Sequence, residues 1–175
     1  MKTIGLIGGM SWESSLEYYC IINKKVKKEL GVLHSAKSIL FSVDFDEIEA
    51  LQHQGKWDEL TTIMIDAAKN LEKAGADMIV ICTNTMHNMA DVVLASIDIP
   101  LLHIVDATAE SIKQKGLTKI GLLGTKFTME QDFYKGRLTE KYSLDVIIPN
   151  EADREIVHKI IYHELCLGEI KDSSK

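Results

Sequence analysis

Cysteine and proline are scarce in this sequence. Its three cysteines, Cys20, Cys82 and Cys166, are odd in number and scattered, so they form neither a disulfide framework nor a paired CxxC zinc site. Two prolines and a hydrophobic content of 46% in 175 residues predict a compact globular protein with a sizeable core. At least one cysteine is therefore a candidate for a reactive thiol.

Long apolar runs and blocks of positive charge are also missing. The run Met78-Ile79-Val80-Ile81-Cys82 is far shorter than the roughly 18 residues that a membrane span needs. The 20 Lys and Arg residues are outnumbered by 26 Asp and Glu, and no basic block could follow a phosphate backbone. Met1-Lys2 leads into a strand pattern and not into a signal peptide. We therefore expect a cytoplasmic protein that binds neither membranes nor nucleic acid.

Two kinds of ligand motif are absent. The six histidines and many carboxylates form no H-E-x-x-H or comparable spacing, so no metal site is expected. The turn from Gly5 to Gly9 lacks the G-x-G-x-x-G spacing of dinucleotide-binding folds. Gly8 and Gly9 could instead allow a tight turn or the close approach of a small ligand, and both interpretations stay open.

What the sequence does contain is an alternation of strand and helix patterns. The predicted strands span 3–7, 38–43, 78–81, 101–104, 119–123 and 144–148. The predicted helices span 12–30, 57–74, 85–95, 106–115, 130–141 and 151–165. Gly31, Gly75 and Gly116 are predicted to end helices in a left-handed conformation. This alternation is typical of an α/β protein with a parallel sheet.

An internal repeat predicts two similar lobes. Segment 3–9 recurs as 119–125, and at the same offset of 116 residues Tyr18 falls on Tyr134. We expect two parallel-sheet α/β lobes, 1–99 and 100–175, related by a pseudo-two-fold, with a ligand between the carboxyl ends of their sheets. The alternative is that strand-turn-helix segments have converged on one short pattern.

The most informative tetrapeptide is Cys82-Thr83-Asn84-Thr85. It follows an apolar strand and precedes a predicted helix, where free N–H groups and the helix dipole favour anions. A thiol at this position is expected to ionise easily and to be accessible in an open crevice. The alternative is a buried cysteine followed by residues that merely cap a helix.

Five dispersed blocks carry a family resemblance. They are Gly8-Gly9-Met10-Ser11-Trp12-Glu13-Ser14, Cys82-Thr83-Asn84-Thr85-Met86-His87, Leu102-His103-Ile104-Val105-Asp106, Leu123-Gly124-Thr125 through Met129-Glu130-Gln131-Asp132-Phe133-Tyr134, and Glu164-Leu165-Cys166-Leu167-Gly168. In this order they resemble the aspartate/glutamate racemase family, and most closely its broad-specificity members. The resemblance covers essentially the whole chain.

This resemblance implies an isomerase that racemises aspartate or glutamate without a cofactor or a metal, and commonly as a homodimer. One cysteine thiolate removes the α-proton, and a second, protonated cysteine returns a proton on the opposite face. Cys82 matches the first family thiol. The residues that match substrate-binding positions are Met10, Gln52, Thr83, Asn84, Thr85, Thr125 and Glu164.

The second family cysteine lies in a G-C-T-E block that residues 1–175 lack. The repeat offset applied to Cys82 points to about residue 198, so we expect the second lobe to be incomplete. The alternatives are a catalytically silent amino-acid-binding protein or a related isomerase or decarboxylase that uses one cysteine. Cys20 and Cys166 are interpreted as packing residues. His87 could assist the ionisation of Cys82, but interior roles are favoured for His87 and His103.

Overall fold

The computed structural model describes residues 1–174, which form two compact units. The first unit comprises Met1–Thr83 and Met89–Leu102, and the second comprises Asn84–Asn88 and the described residues from His103 onward. Both contain helices and parallel strands, so the predicted α/β class is confirmed. The pseudo-two-fold, the incomplete second lobe and the lobe bounds 1–99 and 100–175 stay predictions.

The first unit is built on a parallel sheet with the strand order β2-β1-β3-β4. The strands are β1 (Ile4–Gly8), β2 (Ser38–Ser42), β3 (Met78–Ile81) and β4 (Leu101–Leu102). The helices are α1 (Trp12–Leu30), α2 (Phe45–His53), α3 (Trp57–Lys73) and α4 (Ala90–Leu94). In the central strand β1 the four residues after Ile4 are all buried, as expected for a parallel strand covered on both faces.

Helix α3 supplies much of the first unit's core. Its buried residues recur at helical spacing and are Leu60, Met64, Ala67, Ala68 and Leu71. They cover the face of the sheet that carries the fully buried strand residues Ile7, Ile79 and Ile81. The apolar stripe of one long helix therefore covers the sheet whose strand ends carry the candidate site.

The second unit contains a two-stranded parallel sheet with four helices. The strands are β5 (Lys119–Gly121) and β6 (Asp145–Ile147), and the helices are α5 (Ile104–Gln114), α6 (Lys126–Glu130), α7 (Asp132–Glu140) and α8 (Glu151–His163). Its core includes Val105, Ala109, Met129, Tyr134, Leu138, Leu144 and Val146. The two copies of the internal repeat thus fall on β1 and β5, and each begins a parallel sheet.

Several predicted bounds agree with the structure and others do not. Helix α1 and strand β3 have the predicted limits, and φ is positive at Gly31, Gly75 and Gly116. The strand predicted over 101–104 ends at Leu102, because the next residue caps α5. The helix predicted over 130–141 is wrong at its start, where α6 and α7 are separated by Gln131 in an extended conformation. Helix α2 was not predicted.

Asp106 joins two helices of the second unit. Its carboxylate accepts hydrogen bonds from Arg137 Nε at 2.7 Å, from Arg137 Nη2 at 2.8 Å and from Lys141 Nζ at 3.0 Å. The hydrogen bonds from Arg137 and Lys141 hold the pKa of Asp106 well below its usual range, although burial opposes them. Asp106 therefore remains a carboxylate and ties the start of α5 to α7.

We expect Asp106→Asn to lower the free energy of unfolding by about 1–3 kcal/mol, because it breaks a bidentate, charge-assisted contact. The matched control is Asp145→Asn, which breaks an ion pair with Lys119 whose side chains are both at least 60% exposed. An exposed pair of this kind contributes about 0–1 kcal/mol. Urea unfolding at pH 7 measures both variants, and equal losses would contradict the role given to Asp106.

Candidate active site

The carboxyl ends of β1 and β3 meet at the point where the first sheet reverses its winding. From β1 the chain adds β2 on one side and later β3 on the other, so the switch point lies between β1 and β3. Open α/β sheets bind ligands outside the strand ends at such a point. Cys82 directly follows β3, and Met10 lies two residues beyond β1. The topology thus brings these two predicted site residues to one edge of the sheet.

The main chain of Cys82 is fixed from two directions. Its N–H donates to the Ile7 carbonyl oxygen at 2.8 Å, and its own carbonyl oxygen accepts from the Ser14 hydroxyl at 2.8 Å. Ser14 lies in the first turn of α1, so strand β1 and helix α1 both position the cysteine. Sequence analysis gave no role to Ser14, although the residue lies in one of the family blocks. The signal that could have revealed its role is a hydroxyl group in the first helical turn after a glycine loop.

The glycine turn after β1 has a structural reason for both glycines. Gly9 has φ +91°, and its N–H donates to the Ser15 hydroxyl at 2.8 Å. A Cβ on Gly8 would lie 2.5 Å from Ser15 Oγ, and a Cβ on Gly9 would overlap the Val43 main chain. The turn is therefore packed so closely that only glycine fits at either position.

The Cys82 thiol is buried and protonated. The residue has no exposed surface, and burial raises the pKa of the thiol to about 12. The expectation of an accessible, easily ionised thiol was therefore wrong for this structure. The expected helix dipole is also weakened, because the predicted helix 85–95 is a 3-10 helix, Thr85–Met89, followed by the short helix α4. Five residues in 3-10 geometry offer no long row of aligned peptides.

The two parts of the predicted helix belong to different units. Asn84–Asn88 belongs to the second unit, and its side chains hydrogen-bond there. Helix α4, only two residues further on, belongs to the first unit and packs against α3. The change from 3-10 to α geometry coincides with the change from the contacts of one unit to those of the other.

Two predicted substrate residues of the second unit hydrogen-bond to each other. The hydroxyl oxygens of Thr85 and Thr125 are 3.0 Å apart, and Thr85 is buried. Thr125 Oγ1 also accepts from the Thr128 N–H at 3.2 Å, so the same hydroxyl caps α6. The Thr128 hydroxyl lies 3.1 Å from it and is buried as well. Thr128, which sequence reasoning did not single out, extends this into a chain of three hydroxyl groups.

The remaining predicted site residues lie on separate elements. Gln52 is buried on α2, Thr83 is half-buried and Asn84 is exposed. Glu164 ends α8, where its Oε1 accepts from the Ser174 hydroxyl at 2.9 Å. Within residues 1–174, its Oε2 is buried without a hydrogen-bond partner. The roles of these residues toward a substrate stay proposals.

His103 caps helix α5 as a neutral imidazole. Its Nδ1 accepts from the Val105 N–H at 3.2 Å, which requires that nitrogen to be unprotonated. Burial, with repulsion from Arg137 and Lys141, lowers the pKa of His103 from 6.5 to about 4, while Asp106 acts in the opposite direction. The interior role predicted for this histidine is therefore a capping role.

This lowered pKa predicts an acid-sensitive stability. The contribution of neutral His103 to the free energy of unfolding is fully present above the unfolded pKa of about 6.5 and is lost as the pH falls towards 4. This contribution is at most about 3 kcal/mol. His103→Asn is the matched control, because an amide oxygen can cap α5 at any pH. Urea unfolding from pH 7 to pH 4 should show the wild-type protein losing more stability than the variant. Parallel curves would contradict the capping role.

The described residues contain neither a cluster of metal ligands nor a membrane-spanning helix. Across the described residues, no group of three or more His, Cys, Asp and Glu side chains could hold a metal ion. Within residues 1–174, every helix is too short or too polar to cross a membrane.

The sequence of this chain matches a known protein family. A family model described as Asp/Glu/Hydantoin racemase matches residues 7–172. The chain belongs to this family. The predicted resemblance to the aspartate/glutamate racemases is therefore confirmed, and it covers both units.

The chain is similar to the following three proteins. A candidate Asp/Glu racemase from Yersinia pestis is 60% identical, with a TM-score of 0.90 over 99% of this chain and 76% of that chain. An aspartate racemase homologue from Pyrococcus horikoshii OT3 is 39% identical, with a TM-score of 0.83 over 98% and 75%. The broad specificity amino-acid racemase RacX of Bacillus subtilis (strain 168) is 35% identical over 78 residues, which are 45% of this chain and 34% of that protein. The match thus spans about a third of that curated relative.

Proposed function

We propose that this protein racemises an acidic amino acid, aspartate or glutamate, by proton transfer between two cysteine thiols. The observation that carries the proposal is the position of Cys82, directly after β3 and beside the switch point of the first sheet. Family membership supports the reaction class, and the names of the three relatives support an amino acid as the substrate.

In this proposal Cys82 supplies one of the two proton-transfer groups. A base removes the α-proton on one face of the substrate and leaves a carbanion. The Cys82 S–H gives its proton to the opposite face, which inverts the centre and leaves a thiolate on Cys82. The raised pKa of Cys82 suits this protonated role, and in the reverse direction its thiolate takes the proton back.

The carbanion must be stabilised by fixed hydrogen-bond donors, since an α-proton is weakly acidic. We assign the binding of the α-carboxylate to Thr83, Asn84 and Thr85, whose hydroxyl, amide and N–H groups are donors. Met10, Gln52, Thr125 and Glu164 are the further proposed substrate contacts. No cofactor, a cytoplasmic location and a homodimer complete the proposal.

The other base is proposed to be the cysteine of the family's G-C-T-E block, distinct from both Cys20 and Cys166. Cys20 lies on α1 six residues beyond Ser14, the residue that holds Cys82, which is on the order of 9 Å along the helix axis. Cys166 lies in the 3-10 helix Leu165–Leu167 of the second unit. The family match does not favour the alternative of a catalytically silent binding protein.

The test is incubation of the protein with L-aspartate or L-glutamate in deuterium oxide. Deuterium should enter the α-position while the D-enantiomer accumulates, because both events follow from one deprotonation. Binding measured by calorimetry without exchange or inversion would replace the proposal with the binding-protein alternative. Exchange without inversion would instead indicate a single competent base.

A further inference from the structure

The segment Asn84–Asn88 differs from its neighbours in the chain. The residues before and after it, through Thr83 and from Met89, belong to the first unit, while these five belong to the second. The segment directly follows Cys82-Thr83 and contains Asn84 and Thr85, two of the proposed carboxylate-binding residues. Contacts inside the second unit must therefore fix the position of these two residues.

Three side chains of the segment make hydrogen bonds in the second unit. The Thr85 hydroxyl bonds to that of Thr125 at 3.0 Å, and Asn88 donates to Gln131 Oε1 at 3.3 Å. His87 Nε2 accepts from the Ile104 N–H at 3.2 Å. The Asn88 contact is long and exposed, whereas His87 is 2% exposed and bonds to the main chain. His87 is therefore the segment's buried contact with a helix backbone.

The Ile104 N–H, which donates to His87, has no acceptor within its own helix. Ile104 is the first residue of α5, and the N–H groups of a first helical turn have no acceptor inside the helix. His103 Nδ1 takes the next of these groups, from Val105. The two imidazole rings meet edge to face with centroids 4.6 Å apart. Together they cap α5 with two unprotonated ring nitrogens.

We infer that His87 is a positioning residue of the proposed racemase site, which fixes Asn84 and Thr85 by binding the first N–H of α5. The inference rests on the proposed function for its substrate. The main-chain N–H of His87 also donates to the Asn84 carbonyl oxygen at 3.0 Å, so one residue links α5 to the main chain of Asn84. Because Nε2 is engaged by Ile104, that nitrogen does not serve as a base for Cys82.

Two substitutions distinguish the role of His87 as a hydrogen-bond acceptor from a role in packing alone. In His87→Gln the amide oxygen can lie near the position of Nε2 and accept from Ile104, whereas His87→Leu fills the volume without an acceptor. For the leucine variant we expect KM to rise by about tenfold or more, with a smaller change in kcat, because misplaced binding groups weaken positioning. The glutamine variant should stay within about threefold of wild type for both constants. If KM rose equally in both variants, or did not rise in His87→Leu, the inference would be overturned.

A second readout needs neither turnover nor a variant that folds. Nitrogen-15 NMR of the wild-type protein at pH 7 should show His87 Nε2 unprotonated, and the Ile104 amide should exchange slowly with solvent. An Nε2–H tautomer would overturn the inference by itself. If His87 Nε2 is unprotonated in the wild-type protein but aspartate and glutamate are neither exchanged nor inverted, the proposed function fails while the anchoring of Asn84–Asn88 stands. If the protein racemises but His87 Nε2 carries the proton, only the inference fails.

Discussion

Cys82→Ser is expected to lower the rate of racemisation by about 10²–10⁴-fold, the usual contribution of a positioned acid or base. A hydroxyl group is far less acidic than a thiol and cannot exchange a proton with a carbanion at a useful rate. The substitution removes little volume, so the main-chain contacts of residue 82 with Ile7 and Ser14 should persist. Chiral chromatography and deuterium incorporation measure the loss, with KM changing little because the change acts on the proton-transfer step.

Cys20→Ser and Cys166→Ser are the matched controls for this result. Both residues are partly exposed and lie outside the strand-end loops of β1 and β3. Each variant should keep racemisation within about threefold of wild type, as expected for residues away from the chemistry. If the racemisation rate fell as far in Cys166→Ser as in Cys82→Ser, Cys166 in the 3-10 helix Leu165–Leu167 would be one of the two proton-transfer groups. Full activity in Cys82→Ser would remove Cys82 from the mechanism.

Local signals predicted much of the fold because they act within a short window. The limits of α1 and β3 follow from helical spacing, an apolar run and a glycine stop, all of which involve near neighbours. Helix α2 was missed, although Asp44 caps it and its first turn is acidic. The helix predicted over 85–95 failed for a different reason. Its pattern is continuous, but its two halves find partners in different units.

The candidate site shows the same division between local and distant causes. The position of Cys82 at a strand end was predictable, since a run of apolar residues ends there and polar residues follow. Its pKa was not predictable, because burial depends on residues far away in the chain, and burial outweighs the weak dipole of a short 3-10 helix. The contacts of Ser14 and His87 join separate elements, so each becomes visible only in the folded structure.

Gly9→Ala is expected to lower the free energy of unfolding by about 3–5 kcal/mol, a large part of a typical domain's stability. At φ +91° an added Cβ is strained, and it would lie 2.7 Å from the Val43 amide nitrogen and overlap the Val43 carbonyl oxygen. Both contacts are with main-chain atoms of the loop after β2, which cannot rotate away. The Val43 N–H also donates to Gly8, so a shift of this loop disturbs the turn that leads to Met10.

Gly55→Ala isolates the effect of these contacts from that of backbone conformation. Gly55 also has a positive φ, +69°, but a Cβ there would meet no atom within 4 Å. We expect it to cost only about 1–2 kcal/mol, the strain of a left-handed residue without overlap. Urea unfolding followed by circular dichroism compares both variants. If Gly9→Ala were no less stable than Gly55→Ala, the turn after β1 would be able to move away from Val43, and close packing would not explain why glycine occupies that position.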